Sequence, residues 1–282
     1  MTEPTNWGRW GPDDERGTAN LLTPETVLAA CSTPSSGRVY NLGIELKPGA
    51  PFAGRRMSPV HLMSSDGGDY AALGRDDWGT ADDYLFLAMG GTTHVDALSH
   101  VWSGGTLYNG FDFREVRSSG AARCGIEKTG GLVARAILVD LTVGPDDASV
   151  TGADIDAYLA ERGIEPRPGD AMLFRTGWME AALAGETEGR SFPVVDPAAG
   201  RWFGEHDIAV VGADNPAVEA TGTRGVLPPL HRVLIRDLGV YIVEMLDLSG
   251  PAADGVETGL LVIAPLLVSR GVNSPCNPLL IA

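Results

Sequence analysis

Two histidines and an aspartate fall within seven residues of the stretch GGTTHVDALSHVW, residues 90–102, in a chain with five histidines in all. They are His94, Asp96 and His100. On an extended strand the first two side chains point to the same side, and a short helix after them would bring His100 back toward the same place. Imidazole and carboxylate suit Zn²⁺ or Mn²⁺. The spacing alone leaves a second interpretation open, in which His94 hydrogen-bonds Asp96 and His100 is a satisfied core histidine.

A catalytic metal needs further protein ligands, and two candidates lie far along the chain. His231 opens the predicted helix HRVLIRDLG, and Glu244 interrupts the apolar run VYIVEML. An unpaired carboxylate in an apolar strand is costly, so Glu244 requires a cation. The alternative to a metal is a salt bridge from Glu244 to Arg175 or Arg236.

The charge balance limits the function classes. The chain has 21 Lys and Arg against 37 Asp and Glu, a net charge of -16, which opposes binding to nucleic acid and to anionic membrane surfaces. Its most apolar stretch, GLLVIAPLLV, is too short to span a bilayer, and the first residues lack the pattern of a signal peptide. We therefore expect a cytoplasmic protein. The three cysteines contain no Cys-x-x-Cys pair and predict free thiols.

The candidate residues must be positioned by the surrounding strands and helices. The pattern of these elements predicts one α/β domain over residues 1–282, with a mixed β-sheet core flanked by helices. Strands outnumber helices and alternate with them only in part, which argues against a (β/α)8 barrel and a regular doubly wound sheet. The predicted helices have capping residues or closing glycines; they are TPETVLAACS, TGADIDAYLAERG and PPLHRVLIRDLG. Branched apolar runs predict the strands; they are YNLGIEL, YLFLAM, RAILVDL, AMLFRTG, IAVVGAD, VYIVEML and GLLVIAPLLV.

An ordered series of sequence blocks resembles the cyclase superfamily of metal-dependent hydrolases, which includes bacterial kynurenine formamidase and isatin hydrolase. The order and spacing of the blocks make the resemblance specific, and it covers almost the whole chain. It implies a swivelling β/β/α fold. The blocks are NWGRWGPDDERGTANLLTPE near the start, THVDALSH, YNG at 108–110, LFRTGW at 173–178, VVGADNPAVE at 210–219, LHRVLIRDLGVYIVEMLDL at 230–248 and APLLVSRGVNSPCNPLLIA at 264–282.

The family signature, His-x-Gly-Thr-His-x-Asp-x-Pro-x-His, matches only in part. Thr93, His94, Asp96 and His100 occupy their signature positions, whereas Gly90 stands at the first histidine. Thr and Leu replace the signature Gly and Pro. Glycine has no side chain with which to coordinate a metal, so the departure favours one metal ion over two.

The resemblance implies the roles of the individual residues. His94 and Asp96 would be metal ligands, His231 and Glu244 would complete the coordination sphere, and His100 would be the acid/base histidine. We expect a single divalent ion, Zn²⁺ or Mn²⁺, and no other cofactor. Such an ion lowers the pKa of a water that it binds and polarises a carbonyl group.

Three functions follow as hypotheses. The leading one is hydrolysis of a small amide, cyclic amide, ester or lactone by a metal-activated water, with His100 as general base. The second is a biosynthetic cyclase or dehydratase on the same metal-binding scaffold. The third is a binding protein that has lost catalysis, although this leaves the retention of Asp96, His231 and Glu244 unexplained. The expected partners are a small-molecule substrate and further copies of the chain, as a homodimer or a higher homo-oligomer.

Overall fold

A nine-stranded mixed sheet forms the centre of the computed structural model, which describes residues 5–52, 56–75, 77–219 and 228–282. The strands of the chain are β1 (Val39–Asn41), β2 (Val60–Ser65), β3 (Asp82–Phe86), β4 (His94–Asp96), β5 (Val116–Arg117), β6 (Gly120–Ala121), β7 (Leu132–Asp140), β8 (Ser149–Val150), β9 (Ala171–Arg175), β10 (Val194–Val195), β11 (Val210–Ala213), β12 (Tyr241–Glu244), β13 (Thr258–Ile263), β14 (Asn273–Pro275) and β15 (Leu279–Ile281). The large sheet has the order β1-β15-β13-β7-β9-β11-β12-β4-β14.

The middle of this sheet is parallel and its two sides are antiparallel. Strands β7, β9, β11 and β12 run parallel to one another, and the pairs β12/β4 and β4/β14 are antiparallel. The parallel strands are mostly apolar and largely buried on both faces, as is usual for parallel strands. The predicted α/β fold with a mixed sheet is confirmed. One hydrophobic core contains residues from Ala19 to Leu280, and the extent of the domain over 1–282 stays a prediction.

The helices are short and lie outside the sheet. They are α1 (Pro24–Cys31), α2 (Gly67–Ala72), α3 (Gly152–Arg162), α4 (Trp178–Ala184), α5 (Gly200–Glu205), α6 (Pro229–His231) and α7 (Ser249–Ala253). Thr23 caps α1 by accepting a hydrogen bond from the backbone of Thr26 at 3.3 Å. The carboxylate of Asp154 accepts from the backbone N–H of Thr151 at 2.8 Å, and Gly163 ends α3 in the left-handed conformation. Thr23 and Thr151 occupy the predicted N-cap positions, and Gly163 closes α3 as predicted. None of the described helices is long and apolar enough to cross a membrane.

The third predicted helix has a different form from the one expected. After the turn of α6 the chain continues as a π-helix over Arg232–Leu238, which ends at Gly239 with a φ of 69°. Gly239 also lies against Gly17, and a side chain on Gly17 would overlap the Gly239 carbonyl. The Gly239 carbonyl instead accepts from the Thr18 backbone at 2.9 Å, so the amino-terminal segment is joined to the helix end. Apolar spacing predicts a helix here without revealing its wider turn.

The strands β2 and β3 form a separate two-stranded ribbon, which we call the β2/β3 ribbon. The run YLFLAM was predicted as a strand, and its first residues lie in this ribbon instead of the central sheet. Residue pairing places Val60 opposite Phe86 and Leu62 opposite Tyr84, so these four apolar side chains share one face. All four are exposed, Tyr84 at 68% and Phe86 at 65%. The ribbon therefore presents an uncovered apolar face.

Candidate metal centre

Strand register brings the candidate residues to one face of the sheet. In the antiparallel pair β12/β4, Glu244 lies directly opposite His94. Asp96 is two residues further along β4 and therefore points to the same side. Across the other edge of β4, Asn273 on β14 lies opposite Asp96. Three neighbouring strands thus direct an imidazole, two carboxylates and an amide into one buried space.

His94 is held with one ring nitrogen facing this space. Its Nδ1 contacts the backbone carbonyl of Thr92 at 2.7 Å, and because a carbonyl only accepts, Nδ1 carries the hydrogen. In the neutral ring Nε2 carries the lone pair, and it lies 3.4 Å from Asp96 Oδ1 and 3.4 Å from Glu244 Oε2. This orientation is suited to coordination through Nε2.

Asp96 and His100 are joined through Asn273. The amide Nδ2 of Asn273 donates to Asp96 Oδ1 at 2.6 Å and lies 3.1 Å from His100 Nδ1. The other ring nitrogen of His100, Nε2, lies 3.9 Å from Asp96 Oδ1. A turn at residues 98–99, not the predicted helix, returns His100 to the cluster. His100 is the more accessible histidine, with 26% of its side chain exposed against 1% for His94.

His231 lies at the opposite side of Glu244. Its Nε2 lies 3.1 Å from Glu244 Oε1, and its Nδ1 lies 2.9 Å from Glu219 Oε1. Glu219 also accepts from the backbone N–H groups of Leu230 and His231 at 2.9 and 2.8 Å. The buried Glu219 therefore fixes both the start of α6 and the ring of His231.

The charges in this space shift the pKa values of its members. Burial by itself lowers the pKa of His231, but the hydrogen bonds to Glu219 and Glu244 outweigh it and raise that pKa to about 10. Burial opposes ionisation of Asp96, yet the neighbouring histidines His100 and His94 hold its pKa well below the usual range. Burial lowers the pKa of His100, so its ring is neutral at pH 7 and able to accept a proton.

Backbone strain flanks both glutamates. Val218, directly before Glu219, has a φ of 56°, and Met245, directly after Glu244, has a φ of 60°. Non-glycine residues in this region cost about 1–3 kcal/mol each and persist where the surroundings hold them. The Met245 carbonyl is held by the Thr93 hydroxyl, which donates to it at 2.6 Å. The strain is therefore located where two acids are directed toward histidines.

The two arginines considered as partners of Glu244 lie elsewhere. Arg175 pairs with Asp140 at 2.9 Å and with Glu180 at 2.7 Å. Arg236 pairs with Asp237 at 2.5 Å. The structural salt bridge to Glu244 that the sequence left open is therefore wrong, and histidines surround this carboxylate instead.

The residues present fit a divalent cation. One ligand atom from each of His94, Asp96 and Glu244 can be chosen so that all lie within 4.8 Å of one another. Within the described ranges, His94 Nε2 and Asp96 Oδ2 are fully buried and have no hydrogen-bond partner. Buried polar atoms without partners are rare and costly, and a cation among them would satisfy both. His231 is outside this group of three and reaches it through Glu244, so its role as a ligand stays a prediction.

Two residues of this centre, Glu219 and Asn273, were not assigned by the sequence. Both lie inside blocks that carry the family resemblance, VVGADNPAVE and APLLVSRGVNSPCNPLLIA. Glu219 follows a strand-like run, and a carboxylate there was the only available signal. Asn273 gave no signal, because an amide in a loop-like sequence is common.

Comparisons with known proteins agree with this architecture. The Cyclase family profile matches residues 40–220. A crystal structure described as a novel cyclase is 35% identical, with a TM-score of 0.90 over 99% of this chain and 100% of that one. Isatin hydrolase A from Labrenzia aggregata, bound to benzyl benzoate, is 23% identical, with a TM-score of 0.66 over 86% of this chain and 93% of that one.

A further solved structure extends the likeness in fold. A predicted metal-dependent hydrolase from Bacillus stearothermophilus is 22% identical, with a TM-score of 0.58 over 86% of this chain and 97% of that one. A search of curated proteins gave no match. The family profile spans well over half of the chain, and the novel cyclase is similar over its full length. The chain therefore belongs to the cyclase family.

Proposed function

We propose that this protein is a metal-dependent hydrolase of a small amide, cyclic amide, ester or lactone. His94, Asp96, His231 and Glu244 would hold one divalent cation, Zn²⁺ or Mn²⁺, and His100 would act as general base. The observation that carries the proposal is the pair of buried, partnerless atoms, His94 Nε2 and Asp96 Oδ2, beside the carboxylate of Glu244. Two imidazoles and two carboxylates form a donor set that suits either ion.

When bound, such a cation acidifies a coordinated water and polarises the carbonyl of the substrate. The chain supplies the remaining parts. The ring of His100 lies at the cluster, with Nε2 3.9 Å from Asp96 Oδ1, and this side chain would take the proton from water and return it to the leaving nitrogen or oxygen. Asn273 holds Asp96 and His100 in a fixed relation, and Glu219 holds His231. Each group is thus oriented before substrate arrives.

The test combines metal analysis with product analysis. Elemental analysis of the purified protein should give about one divalent ion per chain, and incubation with simple amides, esters and lactones should give products that have gained water. A cyclase or dehydratase, the alternative function, would give products that keep their mass or lose water. A protein that binds no metal and turns over none of these compounds would support a binding role and contradict the proposal.

We also propose that the protein is a homo-oligomer, most simply a dimer. An isolated two-stranded ribbon is marginally stable in water, yet the β2/β3 ribbon exposes the apolar side chains of Val60, Leu62, Tyr84 and Phe86 on one face. A second copy offers the same face, and a two-fold interface pairs identical patches.

A further inference from the structure

The side of the metal centre next to Gly90 holds a cationic side chain from a distant part of the sequence. A methyl group built on Gly90 would lie 3.3 Å from His94 Nε2, 3.3 Å from Asn273 Nδ2 and 3.4 Å from a terminal guanidinium nitrogen of Arg56. The guanidinium therefore lies beside the same small volume as the partnerless ring nitrogen of His94. A bulkier residue at position 90 would occupy that volume.

Arg56 has no partner of its own there. Among the residues that the structure describes, its side chain makes no hydrogen bond and no ion pair, and it remains exposed. The nearby carboxylates already face histidines, since Asp96 and Glu244 both lie beside His94. The guanidinium is thus available to a ligand.

The protein as a whole does not favour anions. A net charge of -16 repels them at long range, although salt screens this repulsion beyond about 8–10 Å. An anionic substrate therefore requires a local cationic group with a defined geometry. A guanidinium presents two parallel N–H donors that match the two oxygens of a carboxylate.

We propose that Arg56 binds a carboxylate of the substrate, and that Gly90 provides the room for it. The substrate class would then be a small carboxylic acid that carries the amide, ester or lactone group. Its carboxylate would lie on Arg56 while its carbonyl lies at the cluster of His94, Asp96 and Glu244. This inference rests on the proposed hydrolase function and makes it more specific.

The experiment compares benzoate with benzamide, which have the same shape and differ in charge. Dissociation constants are measured by ligand-observed NMR on metal-loaded wild type, Arg56→Gln and Arg75→Gln. Arg75 is a matched control, because it is an exposed arginine between β2 and β3 with no side-chain partner among the described residues. Wild type and Arg75→Gln should bind benzoate about 10- to 100-fold more tightly than benzamide, and Arg56→Gln should bind both equally.

Two results would overturn the proposal. One is a wild type without preference for benzoate; the other is a preference that survives in Arg56→Gln, which would assign the carboxylate to the metal itself. Metal content is measured on the same samples, and Arg56→Gln should equal wild type because Arg56 is not a ligand. A wild type that binds no metal would contradict the hydrolase proposal. The benzoate preference would then be measured on the metal-free proteins, where it tests Arg56 by itself.

Discussion

Glu219 holds His231 through two contacts on one carboxylate oxygen. Oε1 accepts from the His231 backbone N–H at 2.8 Å and lies 2.9 Å from the ring Nδ1, so the other ring nitrogen faces Glu244. This relationship links the end of the VVGADNPAVE block to the start of α6. A carboxylate behind a histidine orients the ring and makes it a better metal ligand.

Replacing Glu219 by Gln should therefore weaken metal binding without removing a ligand. The Gln amide keeps one acceptor oxygen. Its NH₂ group, however, would face N–H donors of Leu230 or His231 that hydrogen-bond to the carboxylate in wild type. We expect metal affinity to fall about 10- to 100-fold, measured by competition with a chelator. Glu161→Gln, on an exposed part of α3, is the control. Equal affinity in Glu219→Gln and wild type would show that His231 does not depend on this contact.

Removal of a proposed ligand should have a larger effect. Asp96→Ala and Glu244→Ala should each abolish stoichiometric metal binding and hydrolysis, because each removes a carboxylate ligand from the proposed coordination sphere. Elemental analysis after dialysis and circular dichroism separate loss of metal from loss of fold. Asp96→Asn keeps the shape and removes the charge, and it should behave as Asp96→Ala does.

The control for these variants is Glu186→Ala, because Glu186 is an exposed carboxylate outside the cluster. It should retain metal and activity. Should Asp96→Ala or Glu244→Ala keep a full complement of metal and normal turnover, the assignment of that residue as a ligand is wrong.

Local sequence patterns predicted the part of this centre that is built locally. Side-chain alternation placed His94 and Asp96 on one side of a strand, and the structure has β4 over these residues. The buried acid in VYIVEML identified Glu244. The helix caps could also be predicted from local sequence, because each cap depends on residues within one turn.

Contacts between strands that are distant in sequence could not be predicted from such local patterns. Asn273 reaches Asp96 from 177 residues away, and only the position of β14 beside β4 brings them together. Apolar alternation does not state which strands are neighbours or which are left uncovered. The ribbon of β2 and β3 has a strand-like sequence, yet its apolar side chains Val60, Leu62, Tyr84 and Phe86 are exposed.

The apolar face of the β2/β3 ribbon predicts how the oligomer can be disrupted. Leu62→Lys together with Phe86→Lys would place two charges on that face, where they would be desolvated on association. We expect light scattering at micromolar concentration to give an oligomer for wild type and a monomer for the variant. The control is Val143→Lys, an exposed apolar residue outside the ribbon. A wild type that is already monomeric would contradict the dimer.

Asp214 should make the stability of the fold depend on pH. Burial raises its pKa from 3.8 to about 6, although Thr176 and Gly177 donate hydrogen bonds to it. Because the folded-state pKa is the higher one, the folded protein binds this proton more tightly. The resulting stabilisation is fully present below pH 3.8 and is lost as pH rises through 6, by about 3 kcal/mol in all.

The measurement is urea unfolding of metal-free wild type and Asp214→Asn between pH 4 and pH 7. Asn cannot titrate, so the free energy of unfolding of wild type relative to Asp214→Asn should fall over this range. The comparison cancels the titration of the histidines, which both proteins share. Parallel pH dependences would mean that Asp214 is ionised throughout.

His100 is the residue at which the base and ligand roles give opposite results. As the base, His100→Ala should keep its metal and lose rate by about 10²- to 10⁴-fold, because only proton transfer is removed. As a ligand in place of the histidine missing at position 90, it would lose metal and activity together. The geometry favours the base, since Nε2 lies 3.9 Å from Asp96 Oδ1 and the side chain is 26% exposed, whereas His94 is fully enclosed. His61→Ala, at an exposed histidine paired with Asp83, should change neither property. Bound metal in folded His100→Ala decides between the two roles, and a metal-free protein would make His100 a ligand.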